Sequence, residues 1–396
     1  MNPSEQFCPN LTCCARGQIG VGNIRIHDRK RERYRCHTCG QTFSARRGTM
    51  FEGRRKPTEL IVLVIILLAY GCPVQAIVHA FGLDERTVAS WRDRAGVQCH
   101  KVHEAIIEQE NMDLVHVQAD EIRVKGRAMV IWMGLAMMVS TRLWLAGTVS
   151  QTRDRHLADR LLTQVRACAG AAQAILVATD GWAAYPKSIQ RAFRDKVKTT
   201  AGRGRAQLQV WKELCIATVI KRTEKKHVVE VTRIMTRGSQ EQAQELMQRS
   251  QGGSKLNTSF IERLNGTVRE RLAILTRKSR HAAQRLAAVE AAMYLLGTTY
   301  NFCFPHHELS KSNHRGYCCT PAMAAGLTDH VWSVLEVLSY RVAPAPWVAA
   351  KRRGRPRRQS VLPMQRPPRP RGRPRTRPLP DPTLPKRPRG RPRKLA

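Results

Sequence analysis

The segment Ala174–Thr179 (AILVAT) constrains this chain more than any other: an uncharged, apolar run closed by Asp180 and Gly181. Such a run is short, lacks alternation and ends in turn formers, as expected of a strand buried in a parallel pairing. The surrounding sequence supplies its neighbours. Leu114–Ala119 alternates and runs into Asp120 and Glu121, Ala128–Val139 and Leu143–Val149 are strand-like, and Ile216–Ile220 and Val228–Ile234 predict two more strands. Asp159–Ala169 predicts a helix and Ser259–Arg277 a long one. Strands first, then helix, strand and helix, predict a mixed α/β layer fold over residues 111–345.

The rest of the chain divides by composition into a domain at 1–50, a second at 51–110 and a tail at 346–396. Cys8-x4-Cys13 and Cys36-x2-Cys39-Gly40, with 22 residues between them, suit four thiolates around a structural, tetrahedral zinc ion. Gly40 lets the backbone turn under the metal. Cys14 is an alternative to Cys13, and unrelated reduced cysteines are the plainer reading. Arg25, His27, Arg29, Lys30, Arg31, Arg33 and Arg35 between the knuckles can meet phosphates or form a solvated face.

Residues 51–110 predict a helix-turn-helix: Pro57–Tyr70, Val74–Phe81 and Glu85–Arg94, with Gly82 in the turn and Asp84 as cap. The third helix would offer Arg86, Ser90, Arg92 and Arg94 to a DNA groove, with Val88, Trp91 and Ala95 facing inward. A plain three-helix linker is the alternative. Leu60–Ala69 is only half the ~20 residues that a membrane span needs, so it predicts a buried helix. Met1–Asn10 does not have the pattern of a signal peptide.

A formal net charge of +38 predicts a polyanionic partner, with nucleic acid ahead of an anionic membrane surface. From Ala350 onward there are 18 Lys or Arg, 12 Pro and one acid, Asp381, so this segment cannot bury a core. It is expected to be disordered on its own. It carries Arg353-Gly354-Arg355-Pro356, Arg371-Gly372-Arg373-Pro374 and Arg389-Gly390-Arg391-Pro392, each 18 residues from the last. This RGRP core resembles the AT-hook, whose arginines enter the narrow minor groove of A·T-rich DNA. An unspecific basic tail would also bind phosphates.

Asp120 and Asp180 each follow a strand-like stretch, and Glu262 lies in the first turn of the long helix. Three such carboxylates can converge at a sheet edge and hold two Mg²⁺ (or Mn²⁺) ions for in-line attack on a phosphodiester. Each has a bland alternative. Asp180-Gly181 also starts turns, Ser259-x-x-Glu262 is also a capping box, and Asp120-Glu121 also suits a solvated strand end. On the long helix, Ile261, Leu264, Val268, Leu272 and Leu275 form a core stripe. Glu262, Asn265 and Arg269 are expected on a second, exposed stripe, with Arg271, Arg277, Lys278 and Arg280 extending its basic character. Cys303, His306, Cys318 and Cys319 are too irregularly spaced to argue for a further metal site, and Cys72, Cys99, Cys168 and Cys215 read as small core residues.

Together these segments resemble a DDE transposase of the insertion-sequence-one family. The matches are the finger ending RYRCHTCGQTF (33–43), VQADE (117–121), ATDGWAAY (178–185), NTSFIERLNGTVRERLAILTRKS (257–279), YNFCFPHHEL (300–309) and TPAMAAGL (320–327). They cover roughly residues 7–350. The first knuckle is longer than the usual Cys-x2-Cys, and Val124 stands where an aromatic stretch is common. The resemblance implies an RNase H-like catalytic core with Asp120, Asp180 and Glu262 as the metal-binding triad and Asn265, Arg269 and His306 as auxiliaries. It implies cleavage and strand transfer at the terminal inverted repeats of a mobile element by a homodimer or larger assembly. It also implies a cytoplasmic, nucleoid-associated protein of a prokaryote, with double-stranded DNA and no membrane as partner. A transposase-derived DNA-binding regulator without catalysis is the alternative.

Overall fold

The computed structural model describes residues 1–126, 129–198, 206–225, 227–272, 275, 285–312 and 318–349. The three RGRP repeats, Arg277, Lys278 and Arg280 lie outside the described residues. The N-terminal segment forms a small antiparallel sheet of β1 (Ile24–Asp28), β2 (Arg33–Cys36) and β3 (Thr42–Ser44). Three helices follow: α1 (Thr58–Ala69), α2 (Val74–Phe81) and α3 (Glu85–His103). Gly82 ends α2 in the left-handed region at φ 58°, where a side chain would be strained. Asp84 caps α3 by accepting the N–H groups of Arg86 and Thr87. Val88, Trp91 and Ala95 are buried, matching the predicted inward face. The helix does not stop at Arg94 but runs on for more than two further turns.

The large sheet has six strands: β4 (His116–Lys125), β5 (Val130–Met138), β6 (Trp144–Ser150), β7 (Ile175–Thr179), β10 (Leu214–Glu224) and β11 (His227–Arg237). Between them lie α4 (Arg155–Cys168), α5 (Ala184–Ala192), β8 (Arg194–Val197) and β9 (Gln207–Val210), the last two paired in a separate hairpin. The order across the sheet is β11-β10-β7-β4-β5-β6. β4, β5 and β6 are antiparallel to one another, β7 is parallel to both β4 and β10, and β11 is antiparallel to β10. This is the predicted mixed α/β layer architecture.

β7 is buried along its whole length. Ile175 and Val177 join the main core, whereas Leu176 and Ala178 join a second cluster with Ala243, Leu246 and Met247. The latter residues belong to α6 (Gln240–Arg249). Both faces of the strand are therefore covered by apolar layers, which explains its unbroken hydrophobic sequence.

The chain then forms α7 (Ser259–Arg271), α8 (Leu286–Phe302), α9 (His307–Ser312), α10 (Pro321–Ala324) and α11 (Val334–Ser339). α4 lies over β5 and β6, and α7 packs on β4 and β5. At Gly96 a Cβ would stand 2.2 Å from the carbonyl oxygen of Ala291, so α3 crosses α8 at backbone contact. Asn301 on α8 accepts the Trp144 N–H and donates to the Trp144 carbonyl, both at 2.9 Å, satisfying groups on edge strand β6. One hydrophobic core thus runs from α1 and α3 through the sheet to α7, α8 and α11. α1 contributes Ile61, Val64, Ile65 and Ala69 to it, and no helix among the described residues is long and apolar enough to cross a membrane.

Candidate metal centres

Two clusters among the described residues gather enough ligand atoms to hold a metal: Cys8, Cys13, Cys36 and Cys39, and Asp120, Glu121 and Asp180. Within each, one ligand atom per residue lies within 4.8 Å of the others.

The cysteine cluster is built locally. Cys36 ends β2, and the following turn brings the Gly40 N–H to the Cys36 carbonyl at 2.8 Å. The opposite knuckle closes when the Gly17 N–H reaches the Cys8 carbonyl at 3.0 Å. Cys8 Sγ stands 3.7 Å from Cys39 Sγ, and Cys13 Sγ 4.0 Å from Cys36 Sγ. Cys13 completes the set, while Cys14 is exposed and outside it. Tyr34 and Phe43 pack beneath it with ring centroids 5.8 Å apart. Burial pushes the Cys8 and Cys13 thiols up. The Cys39 thiol is also penalised by burial, but hydrogen bonds from the Gln41 amide, the Asn10 side chain and neighbouring sulfurs bring it down to about 7. The Asn23 amide donates to Cys36 Sγ at 3.6 Å, a contact that favours a negatively charged sulfur.

The carboxylate cluster is assembled from distant segments. The parallel ladder between β4 and β7 ends at Ala119 and Thr179. Asp120 is the next residue on β4, and Asp180 is the first residue beyond the end of β7. β4 itself continues to Lys125, so Asp120 and Glu121 sit mid-strand rather than at the predicted strand end. The opening is instead in the pairing with β7. Successive residues of β4 point to opposite faces. Gln118 accepts the Phe260 and Ile261 N–H groups at the start of α7, and Asp120 Oδ2 accepts from Asn265 Nδ2 at 2.7 Å. Glu121 points the other way, accepting the Tyr185 hydroxyl of α5 at 2.9 Å.

Arg153 binds this cluster from the side. Its guanidinium pairs with Glu121 and lies 3.5 Å from Asp180. It also stacks over Trp132 at 5.2 Å and Trp182 at 4.8 Å, both in the cation–π range. Even so, three carboxylates share too little positive charge. Burial chiefly, then the charges of Asp180 and Glu262, raise Asp120 to about 6, against the Glu121 amide and Arg269. Burial and Asp180 raise Glu121 to about 7, opposed by Tyr185 and Arg153. Burial also raises Asp180, against the Trp182 amide and Arg153. A bound cation relieves both the burial penalty and the repulsion between Asp120, Glu121 and Asp180.

Glu262 is outside the cluster as grouped. It pairs with Lys221 on β10 and accepts the Thr258 hydroxyl at 2.6 Å, yet its charge reaches Asp120. Asn265 corrects one expectation. It is 1% exposed, not on a solvent-facing stripe, because its amide turns inward to Asp120. Arg269 is exposed and acts on Asp120 electrostatically. His306 lines a different concavity with Arg142 and Arg263. Among the described residues, Cys303, His306, Cys318 and Cys319 form no metal-binding group. On α3, Arg86 and Ser90 are exposed, whereas Arg92 pairs with Asp93 and Arg94 donates to the Glu52 carbonyl.

Sequence reasoning does not single out Arg153 or Tyr185, which reach the cluster from other segments. Glu121 adjoins Asp120, and sequence reasoning prefers Asp120 as the ligand. No family model matches this sequence, and no curated protein matches it.

Proposed function

We propose that the chain is a metal-dependent DNA strand transferase, a DDE transposase resembling the insertion-sequence-one family, with an RNase H-like core. The observation that carries this reading is the convergence of Asp120, Glu121 and Asp180 where two parallel strands part. A central strand with antiparallel partners on one side and parallel ones on the other supports the fold assignment. The residues of α7 flank that opening, as the resemblance expects of Glu262 and Asn265.

The donor set fits Mg²⁺ or Mn²⁺, which prefer carboxylate oxygen and keep part of their water. A pair of such ions bound there supplies an activated oxygen nucleophile and stabilises the leaving oxygen of a phosphodiester. The protein's part is positional. Asp120 and Asp180 offer oxygens at the opening, and Asn265 fixes the Asp120 carboxylate through Nδ2. Tyr185 and Arg153 hold Glu121. Lys221 and Thr258 orient Glu262 at the rim. Water would attack a phosphodiester and displace its 3′-oxygen as a free 3′-hydroxyl, and that hydroxyl would then attack a target phosphodiester and displace the 3′-oxygen of the cut target strand.

The cysteine cluster fits zinc. Bonds of about 2.3 Å to a tetrahedral ion place sulfurs about 3.8 Å apart, close to the 3.7 and 4.0 Å seen here. Finger and helix-turn-helix would then grip the element ends, with Arg86 and Ser90 free to face a groove. The test is a strand-transfer assay with Mg²⁺ and end-bearing duplex DNA. Joined product is expected from the wild-type chain and none from Asp180→Asn. Binding without any cutting would favour the regulator, and cutting without joining a simple nuclease.

A further inference from the structure

A second concavity, of about 780 Å³, opens on the other side of α7, where Arg263 and Arg271 follow the residues that flank the acids. The turn between β5 and β6 adds Arg142, and the segment after α8 adds His306. Three arginines line the concavity beside a single carboxylate. Burial and then the charge of Arg263 lower Arg142, despite Tyr300 and Glu308. Glu308 is the carboxylate in the lining, and it pairs with His307 and Lys311.

The cations are held without being neutralised. Arg142 lies 4.0 Å over the Phe260 ring, and Arg271 lies 4.6 Å over Phe304 and 5.1 Å over Tyr70. Aromatic faces fix a planar guanidinium but leave its N–H edge to find an acceptor. Arg142 Nη1, Arg271 Nη1 and His306 Nδ1 are buried and have no hydrogen-bond partner among the described residues. Buried guanidinium donors in that condition are rare unless a bound ion or water completes them, and His306 Nδ1 joins them in the tautomer that carries its proton there. The guanidinium groups already occupy one face of Phe260 and one of Phe304. A tetrahedral oxyanion, which accepts several N–H groups at once, fits what remains.

We infer that this pocket binds a backbone phosphate of a DNA strand that crosses α7 from the acidic opening. DNA as the source of that phosphate rests on the proposed function. The test is the salt dependence of binding, measured by fluorescence anisotropy on the full-length chain with a labelled duplex and no added divalent ion. Removing one cation that meets a phosphate reduces the slope of log K against log salt by about one. R142Q and R263Q should each show that reduction with an unchanged melting temperature. Arg263 is exposed, so its variant keeps the test valid if R142Q fails to fold. In a parallel arm, inorganic phosphate is tested for thermal protection. An R263Q slope equal to wild type overturns the inference, whether or not phosphate protects. Protection by free phosphate with unchanged slopes assigns the pocket to a small anion instead. A wild-type chain that binds no DNA overturns this inference and the proposed function together, whereas unchanged slopes on a chain that binds and cuts DNA overturn this inference alone.

Discussion

The cysteine and carboxylate clusters are both candidate metal centres, but they are built in opposite ways. The first draws four ligands from residues 8–39, is largely buried, and offers no position beyond its four sulfurs. The second draws on two strands with α5 and α7 beside it, and it lies where the ladder between β4 and β7 stops. A closed local cluster uses metal to hold a fold too small to hold itself. An open cluster assembled by a prebuilt sheet already has its fold, so a metal bound there would be free to serve chemistry. The difference predicts that the two centres fail differently.

The largest contrast is expected from Cys36→Ser. Structural zinc contributes on the order of 10 kcal/mol to folding of such small domains. Its loss should unfold the finger, seen as lost amide-exchange protection over β1–β3, while the six-stranded sheet stays protected. Uniform unfolding of both would break the comparison. Next is Asp180→Asn, which should lower cleavage by roughly a hundredfold or more, since metal ions lend the transition state several kcal/mol, and leave the melting temperature within a few degrees. A smaller effect is expected from Asn265→Ala. Loss of a residue that orients a ligand typically costs about 10–100-fold in metal affinity or activity. Titration with Mn²⁺ should show the weakened affinity.

The smallest effect is on stability against pH. Asp120 and Glu121 sit at about 6 and about 7 in the folded protein, above the roughly 4 of an unfolded carboxyl. A raised folded value favours the neutral acid. Its contribution is complete below the unfolded value and is lost as pH rises through the folded one. Without divalent ions, stability should fall between about pH 4 and pH 7, and Asp120→Asn should flatten that fall. Denaturant midpoints across this range measure it. Mg²⁺ should restore the lost stability at neutral pH, because cations bind the ionised pair.

The same contrast explains what the sequence makes legible. The cysteine ligands are readable because their spacing is local and the ligand chemistry is narrow. Asp120 and Asp180 are readable from apolar runs that end in acids, though β4 runs on past its acid and only the pairing ends. Glu121 escapes sequence reasoning because its role depends on the opposite strand face and on Tyr185 and Arg153, which are remote in sequence. Asn265 falls on an exposed stripe by helical periodicity, which cannot register a polar side chain that is buried to bond one acid. Long helix α8 carries no period to detect, since it is buried between α3 and the sheet and apolar nearly all round. The apolar pattern carries α7 to Arg277, but the helix ends at Arg271.

On the proposed reading, the chain separates a structural metal at the cysteines from a catalytic one at the carboxylates. The most direct test measures zinc content and Mn²⁺ occupancy together on wild type, Cys36→Ser and Asp120→Asn/Asp180→Asn. The carboxylate variant should keep its zinc and lose its Mn²⁺ signal, while the cysteine variant should lose zinc and keep Mn²⁺. Mn²⁺ occupancy unchanged in the carboxylate variant would contradict it.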